Sequence, residues 1–342
     1  MISKKITPNF VYGLPKAELH VHLEGTLEPE LKLALAKKNH INIGQETIED
    51  IKATYNYDSL ASFLDVYYSG MSVLQTESDF YTLAMEYFKR AKENNIRHVE
   101  AFFDPQAHLA RGINFDTFIN GYYRACQDAK ALNVDAQLIM CFLRDMSAQS
   151  ASEVLVMAQN HREKILGVGL DSDEHHNPPL KFICPFTNAI AQGYRTTMHA
   201  DIDQVDSIDH IKQALEIINV ERLDHGTNIL EDKDLTNWVQ KIHLGLTACP
   251  LSNKFISDEF KGNEILELLD QGVKISIHSD DPAYFGGYIS DNYLALADNY
   301  DLSVEDIVDF AKNSFETSWI SPVQKEMYLE EIYNYVENYF EH

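Results

Sequence analysis

Four places in the sequence bring imidazole and carboxylate groups into a pattern that could hold a metal ion. In AELHVHL, His20 and His22 are two residues apart, so on an extended strand both side chains project from one face. Two such imidazoles can be hydrogen-bonded core residues, but burying them is costly unless something uses them. A β-like run, RTTMHA, ends in His199; ERLDHG brings Asp224 and His225; VKISIHSD leads into Asp280 and Asp281. His20, His22, His199 and Asp280 form a three-imidazole, one-carboxylate set, which suits a borderline ion such as Zn²⁺ with one position left open for water. His225, on a strand of its own, is then placed to orient or deprotonate that water. A second ion would need a bridging group, such as a modified lysine after the fourth strand. That stretch reads Gly-Leu-Asp-Ser-Asp-Glu (169–174), so one ion per chain is expected.

These residues need elements that bring them to one place. Eight short apolar and β-branched runs qualify as strands: 17–23, 97–103, 136–143, 165–170, 195–200, 221–226, 244–250 and 273–280. Between them, segments such as FINGYYRACQDAKAL and SIDHIKQALEIINV carry apolar residues at three- and four-residue steps, the helix period. Strand and helix alternating in this way predict a parallel (β/α)₈ TIM barrel, whose active sites sit at the C-terminal ends of the strands. The chemistry-bearing residues fall at those ends. The long gap from about residue 24 to 96 reads as extra helices inserted after the first strand, capping one end, and the chain is again helical after Tyr288. No linker, repeat or low-complexity segment interrupts it, so residues 1–342 are expected to form a single domain.

A formal charge of -25 opposes approach to nucleic acid or to an anionic membrane surface, and a neutral small molecule is the better-matched partner. No segment offers about 18 uninterrupted apolar residues, and MISKKITPNF lacks the apolar core of a secretion signal. A cytoplasmic protein is expected, with a homo-oligomer compatible with the sequence. Cys126, Cys141, Cys184 and Cys249 show no CxxC spacing and read as buried reduced thiols, with Cys249 a wall residue near the site.

The chain resembles the adenosine and adenine deaminase family along nearly its whole length. The resemblance is carried by PKAELHVHLEGTLEPE (15–30), FFDPQ (102–106), VGLDSDEHHNPPLKF (168–182), RLDHGTNILED (222–232), TACPLSN (247–253) and SDDPAYFGGY (279–288). The forms around Gly169, Pro178, Leu251 and Phe285 are more similar to the adenine branch, which acts on the free base, than to the nucleoside branch. The resemblance implies zinc on His20, His22, His199 and Asp280, assistance to the attacking water from His225, and a hydrogen bond from Asp281 to purine N7. Asp281 can also be read as a turn residue before Pro282. Glu24 and Gly25 are expected to line the pocket. TYNYDSLASFLDVYY (54–68) and Phe102 to Gln106 either close over it or form core. The implied reaction is hydrolytic loss of the 6-amino group of a purine, adenine first.

One position departs from the family. Its usual His-Ala-Gly-Glu, whose glutamate protonates purine N1, here reads His199-Ala200-Asp201-Ile202. A positioned general acid is worth roughly 10²–10⁴ in rate, so the substitution bears on turnover itself. Three readings compete. Asp201 or Asp203 replaces the missing acid, since close carboxylates can raise one another's pKa. Alternatively, the substrate is a different 6-substituted purine or a related aminated heterocycle, adenosine included, beside an apolar Ile202. The third is a purine-binding relic without turnover. Asp201 and Asp203 can equally belong to a solvated loop, with Asp206 or Ser207 capping the next helix. The resemblance places the run Asp171, Ser172, Asp173 and Glu174 near purine N3, where Ser172 or a protonated carboxyl can donate, Asp173 standing where a second serine is usual.

Overall fold

In the computed structural model, which describes residues 5–57, 59–200, 202 and 204–341, the eight runs become eight parallel strands. They are β1 (Lys16–Glu18), β2 (Ile96–Phe103), β3 (Asp135–Leu143), β4 (Gly167–Asp171), β5 (Arg195–Ala200), β6 (Arg222–His225), β7 (Gly245–Ala248) and β8 (Lys274–Ile277). Each pairs with the next in sequence, giving the order of a (β/α)₈ barrel. Beyond β8 and β1 the ring continues through an isolated parallel bridge between Val21 and Asp280.

The first strand is shorter than the run at 17–23 predicts. Regular pairing stops at Glu18, because the next residues alternate between two partners. His22 bridges to Phe102 on the β2 side while Val21 bridges to Asp280 on the β8 side. Leu19, Val21 and Leu23 are all buried in the surrounding core, as the alternation requires.

The inserted segment folds into helices Pro29–Asn39, Ile48–Ala53, Leu60–Gly70 and Glu77–Glu93. Thr47, Ser59 and Thr76 start the last three with reciprocal capping boxes to Asp50, Ser62 and Asp79, which satisfies amide donors that a helix start leaves free. The chain ends in the long helix Pro322–Glu341. The segment expected as one helix from Ser207 is helical over Ser207–Lys212 and widens into a π-turn over Gln213–Ile218. Asp206 occupies the N-cap position but its side chain makes no cap hydrogen bond; its backbone (φ -97, ψ 23) is not the extended form from which a cap oxygen reaches back. Three cysteines are buried as expected, whereas Cys184 is exposed on its helix.

Inside the barrel, the end opposite the strand C-termini holds a buried ionic cluster. Arg222 donates to Glu100, stacks over Trp319 with its guanidinium carbon 4.1 Å from the ring centre, and both charged side chains are fully buried. Burial alone would push the Glu100 carboxyl up; Arg222 and His98 outweigh it and hold it down at about 2. Removing one partner strands the other charge, so Arg222→Met is expected to lower unfolding free energy by about 3–5 kcal/mol. Arg222→Met with Glu100→Met should recover most of that loss, and urea unfolding of the two variants measures both.

Candidate metal centre and active site

Three site residues have backbone conformations that extended strands do not provide. Ser172 (φ 72), His225 (φ 60) and Asp280 (φ 63) are non-glycine residues in the left-handed region, each shortly after a strand or at its last residue. Such conformations persist only where surrounding contacts over-determine them. At Asp280 the contacts are explicit. Its N–H donates to His20 O at 2.9 Å, and its carbonyl accepts from His22 N–H at 3.1 Å. The buried Glu18 carboxylate accepts from the Ser279 N–H at 3.1 Å and from the Ser279 hydroxyl.

The structure brings His20, His22, His199, His225 and Asp280 together. His22 Nε2 and His199 Nε2 are 3.1 Å apart, and Asp280 Oδ1 lies 3.2 Å from His20 Nε2 and 3.4 Å from His22 Nε2. His225 Nε2 is 3.8 Å from Asp280 Oδ2. One atom from each of His20, His199, His225 and Asp280 lies within 4.8 Å of the others, so this set contains His225 in place of His22, which the expected ligand set prefers.

The donor set fits a cation on several grounds. Thr247 Oγ1 donates to Asp224 Oδ1 and therefore accepts from His20 Nδ1–H at 2.8 Å. That fixes the tautomer which leaves His20 Nε2 as a bare lone pair, and Nε2 has no hydrogen-bond partner among the described residues. Asp224 also accepts from Thr197 and lies 3.5 Å from His199 Nδ1, so the buried carboxylate that braces His20 through Thr247 also stands close to a second imidazole. Burial and the neighbouring His20 ring push His225 down to about 4, and burial with the other imidazoles pushes His199 well below its usual value. Both are thus neutral, the form that ligates metals or accepts a proton. At His22 burial also pushes down but is outweighed: Asp281, Asp280 and Asp171 raise it to about 10. The carboxylates around this point call for positive charge.

Beside this centre lies a cavity of about 610 Å³, counting its open mouth. Asp104, Asp171, Ser172 and Asp281 are among its polar lining, and Leu60, Phe63, Leu64, Ile256 and Phe285 among its apolar lining, together with Tyr67 and Tyr68. The inserted segment therefore does close over the site. Phe102 packs beneath it, its ring centre 4.9–5.4 Å from those of His20, His22 and His199, and forms a dry floor with Ile139 and Cys141.

The remaining expected site residues divide. Asp281 lines the cavity with Oδ1 unpartnered among the described residues, and burial pushes its carboxyl well up against the opposing pull of His22. Ser172 lines it as well. Asp173 does not: the left-handed turn at Ser172 sends the next side chain outward, where Oδ1 accepts from the His175 N–H and contacts its ring. Glu24 lies behind the wall, with Oε1 accepting from Tyr122 and 2.7 Å from His108 Nε2. Gly25 is a backing residue too, since a Cβ there would sit 1.9 Å from Asp281 Oδ1. Cys249 is buried outside the cavity lining. Ile202 lines the cavity, whereas Asp201 and Asp203 lie outside the described residues. Sequence reasoning did not single out Asp104, although the FFDPQ motif at the end of β2 contains it.

Comparison with known proteins agrees with this geometry. A family model described as adenosine deaminase matches residues 15–335. The adenine deaminase of Zymomonas mobilis is 45% identical over 333 residues, covering 96% of this chain and 98% of that protein. The crystal structure of adenine deaminase from Arthrobacter aurescens superposes with a TM-score of 0.92 at 40% identity, over 95% of this chain and 99% of that one. An amidohydrolase from Burkholderia ambifaria with bound zinc has the same fold, with a TM-score of 0.89 at 23% identity, over 98% and 96% of the two chains.

Metal content separates the two candidates for the last ligand place. His22→Ala is expected to lower bound metal in the purified protein by at least about tenfold, while His225→Ala retains it. Elemental analysis after dialysis reads this directly, and the opposite order would exchange the two roles.

Proposed function

The chain belongs to the adenosine deaminase family, and we propose on that ground that it hydrolyses the C6–amino bond of a purine base, converting adenine and water to hypoxanthine and ammonia with one zinc ion per chain. The observation that carries the reading is the buried convergence of four imidazoles and Asp280 against a cavity lined by both carboxyl and apolar side chains.

Held by His20, His22, His199 and Asp280, zinc would supply a Lewis acid that makes water nucleophilic near neutral pH. The rest belongs to the chain. His225 accepts a proton from the attacking water; the neutral state that burial imposes on it supports that role. Asp281 takes the N7 edge of the ring, and Ser172 the N3 side. Phe63, Phe285 and Leu64 cover the ring and exclude bulk water. The proton for N1 comes from Asp201 or Asp203. We further read residues 1–342 as one domain working in the cytoplasm on a small-molecule purine, without nucleic acid or membrane. The charge of -25 supports this, as does the finding that no helix among the described residues is long and apolar enough to cross a membrane.

Ile202 on the cavity wall favours a second reading, in which the substrate is another 6-substituted purine that needs no proton from this position. Ammonia release from the zinc-loaded protein tests both, with adenine, adenosine and a panel of 6-substituted purines and aminated heterocycles. Adenine is expected to be turned over; silence on adenine with release elsewhere selects the second reading, and silence throughout leaves a purine-binding relic. On the active substrate, His225→Ala should lower kcat by about 10²–10⁴. Of Asp201→Asn and Asp203→Asn, one should lower it by more than about tenfold; if neither does, neither is the acid.

A further inference from the structure

The mechanism leaves two buried acids in the cavity without a role, Asp104 and Asp171. Asp104 is 1% exposed and lines the cavity, and its Oδ1 has no hydrogen-bond partner among the described residues. Its position is rigid. Its N–H donates to Glu24 Oε1 at 3.4 Å, its carboxyl is hydrogen-bonded to that of Asp171, and Glu24 is itself locked against His108 and Tyr122.

The site has two carboxyl pairs with His22 between them. Atoms of His22, Asp104 and Asp171 lie within 4.8 Å of one another, and so do atoms of His22, Asp280 and Asp281. A purine with C6 at the metal centre and N7 toward Asp281 uses one long edge on the second pair. Its opposite edge, N3 and N9, then faces the first pair and Ser172. On that edge a free base carries a hydrogen at N9, and a nucleoside carries a glycosyl carbon instead.

We propose that Asp104 accepts the N9–H of the free base through Oδ1 and is the residue that selects base over nucleoside. This rests on the purine reading above. The oxygen can accept whichever member of the Asp104–Asp171 pair holds the proton between them. A substituent at N9 both removes the hydrogen, leaving a buried acceptor unpartnered, and presses on a wall that Glu24 backs.

The test compares adenine with 9-methyladenine. The wild type should prefer adenine by about 10² or more in kcat/KM. Asp104→Ser should lower kcat/KM for adenine by roughly 10–10³ and leave that for 9-methyladenine unchanged or raised, so the preference collapses. Equal losses on both, or an unchanged preference, would overturn the proposal. Calorimetric binding of hypoxanthine and 9-methylhypoxanthine gives the same ratio without turnover, so failure of the reaction and failure of base recognition are told apart. A crystal of the wild-type protein with hypoxanthine needs no variant: N9 within about 3.2 Å of Asp104 supports the assignment, and any other ring atom there overturns it.

Discussion

The site depends on how the barrel meets itself. Seven strand pairs run in sequence order, but the eighth junction is made by the backbone of residues 20–22 against residue 280. His20 O, His22 N and the N and O of Asp280 are the hydrogen-bonding groups of that junction. Three of the expected ligands are therefore held in register by the same bonds that join the two ends of the sheet. The left-handed backbone at Asp280 is a consequence: the residue must pair with the chain beyond β1 through both of its backbone groups while its carboxylate turns inward. Glu18, gripping Ser279 from below, fixes the approach.

Around that junction the charges form an ordered field. Carboxylates on both sides of His22 create a strongly negative point, and the imidazoles farther in are kept neutral by burial and by each other. A cation at the centre would relieve both conditions at once, which is why a donor set this dense can stay buried. The hydroxyl of Thr247 carries the constraint from His20 outward to Asp224, which Thr197 holds in turn, so the orientation of that ring is set one layer behind it.

The barrel was legible because β-branched runs and helix-period segments alternate eight times, and the imidazole–carboxylate cluster because His20, His22, His199 and Asp280 fall at run ends. The features that escaped local reading depended on tertiary placement. The early end of β1 reflects Val21 and His22 pairing in opposite directions, which no period in AELHVHL records. Asp173 and Glu24 were expected in the pocket because neighbours in sequence are; a single left-handed residue at 172 turned one outward, and Tyr122 and His108 drew the other behind the wall. Asp104 was visible within FFDPQ, but its unpartnered oxygen became apparent only when the ends of β2 and β4 were brought to one cavity.

Arg144 makes one further contact with a wider consequence. From the end of β3 it donates to the carbonyl of His199 at 2.9 Å, while Glu174 lies 3.2 Å from its guanidinium. His199 is thus gripped through its own main chain from a different strand, and its position does not hang on the loop after it. A change of side chain beyond Ala200 would leave that main-chain hydrogen bond in place. Side chains beyond the strand end can therefore differ in chemistry while this cross-strand grip on His199 persists.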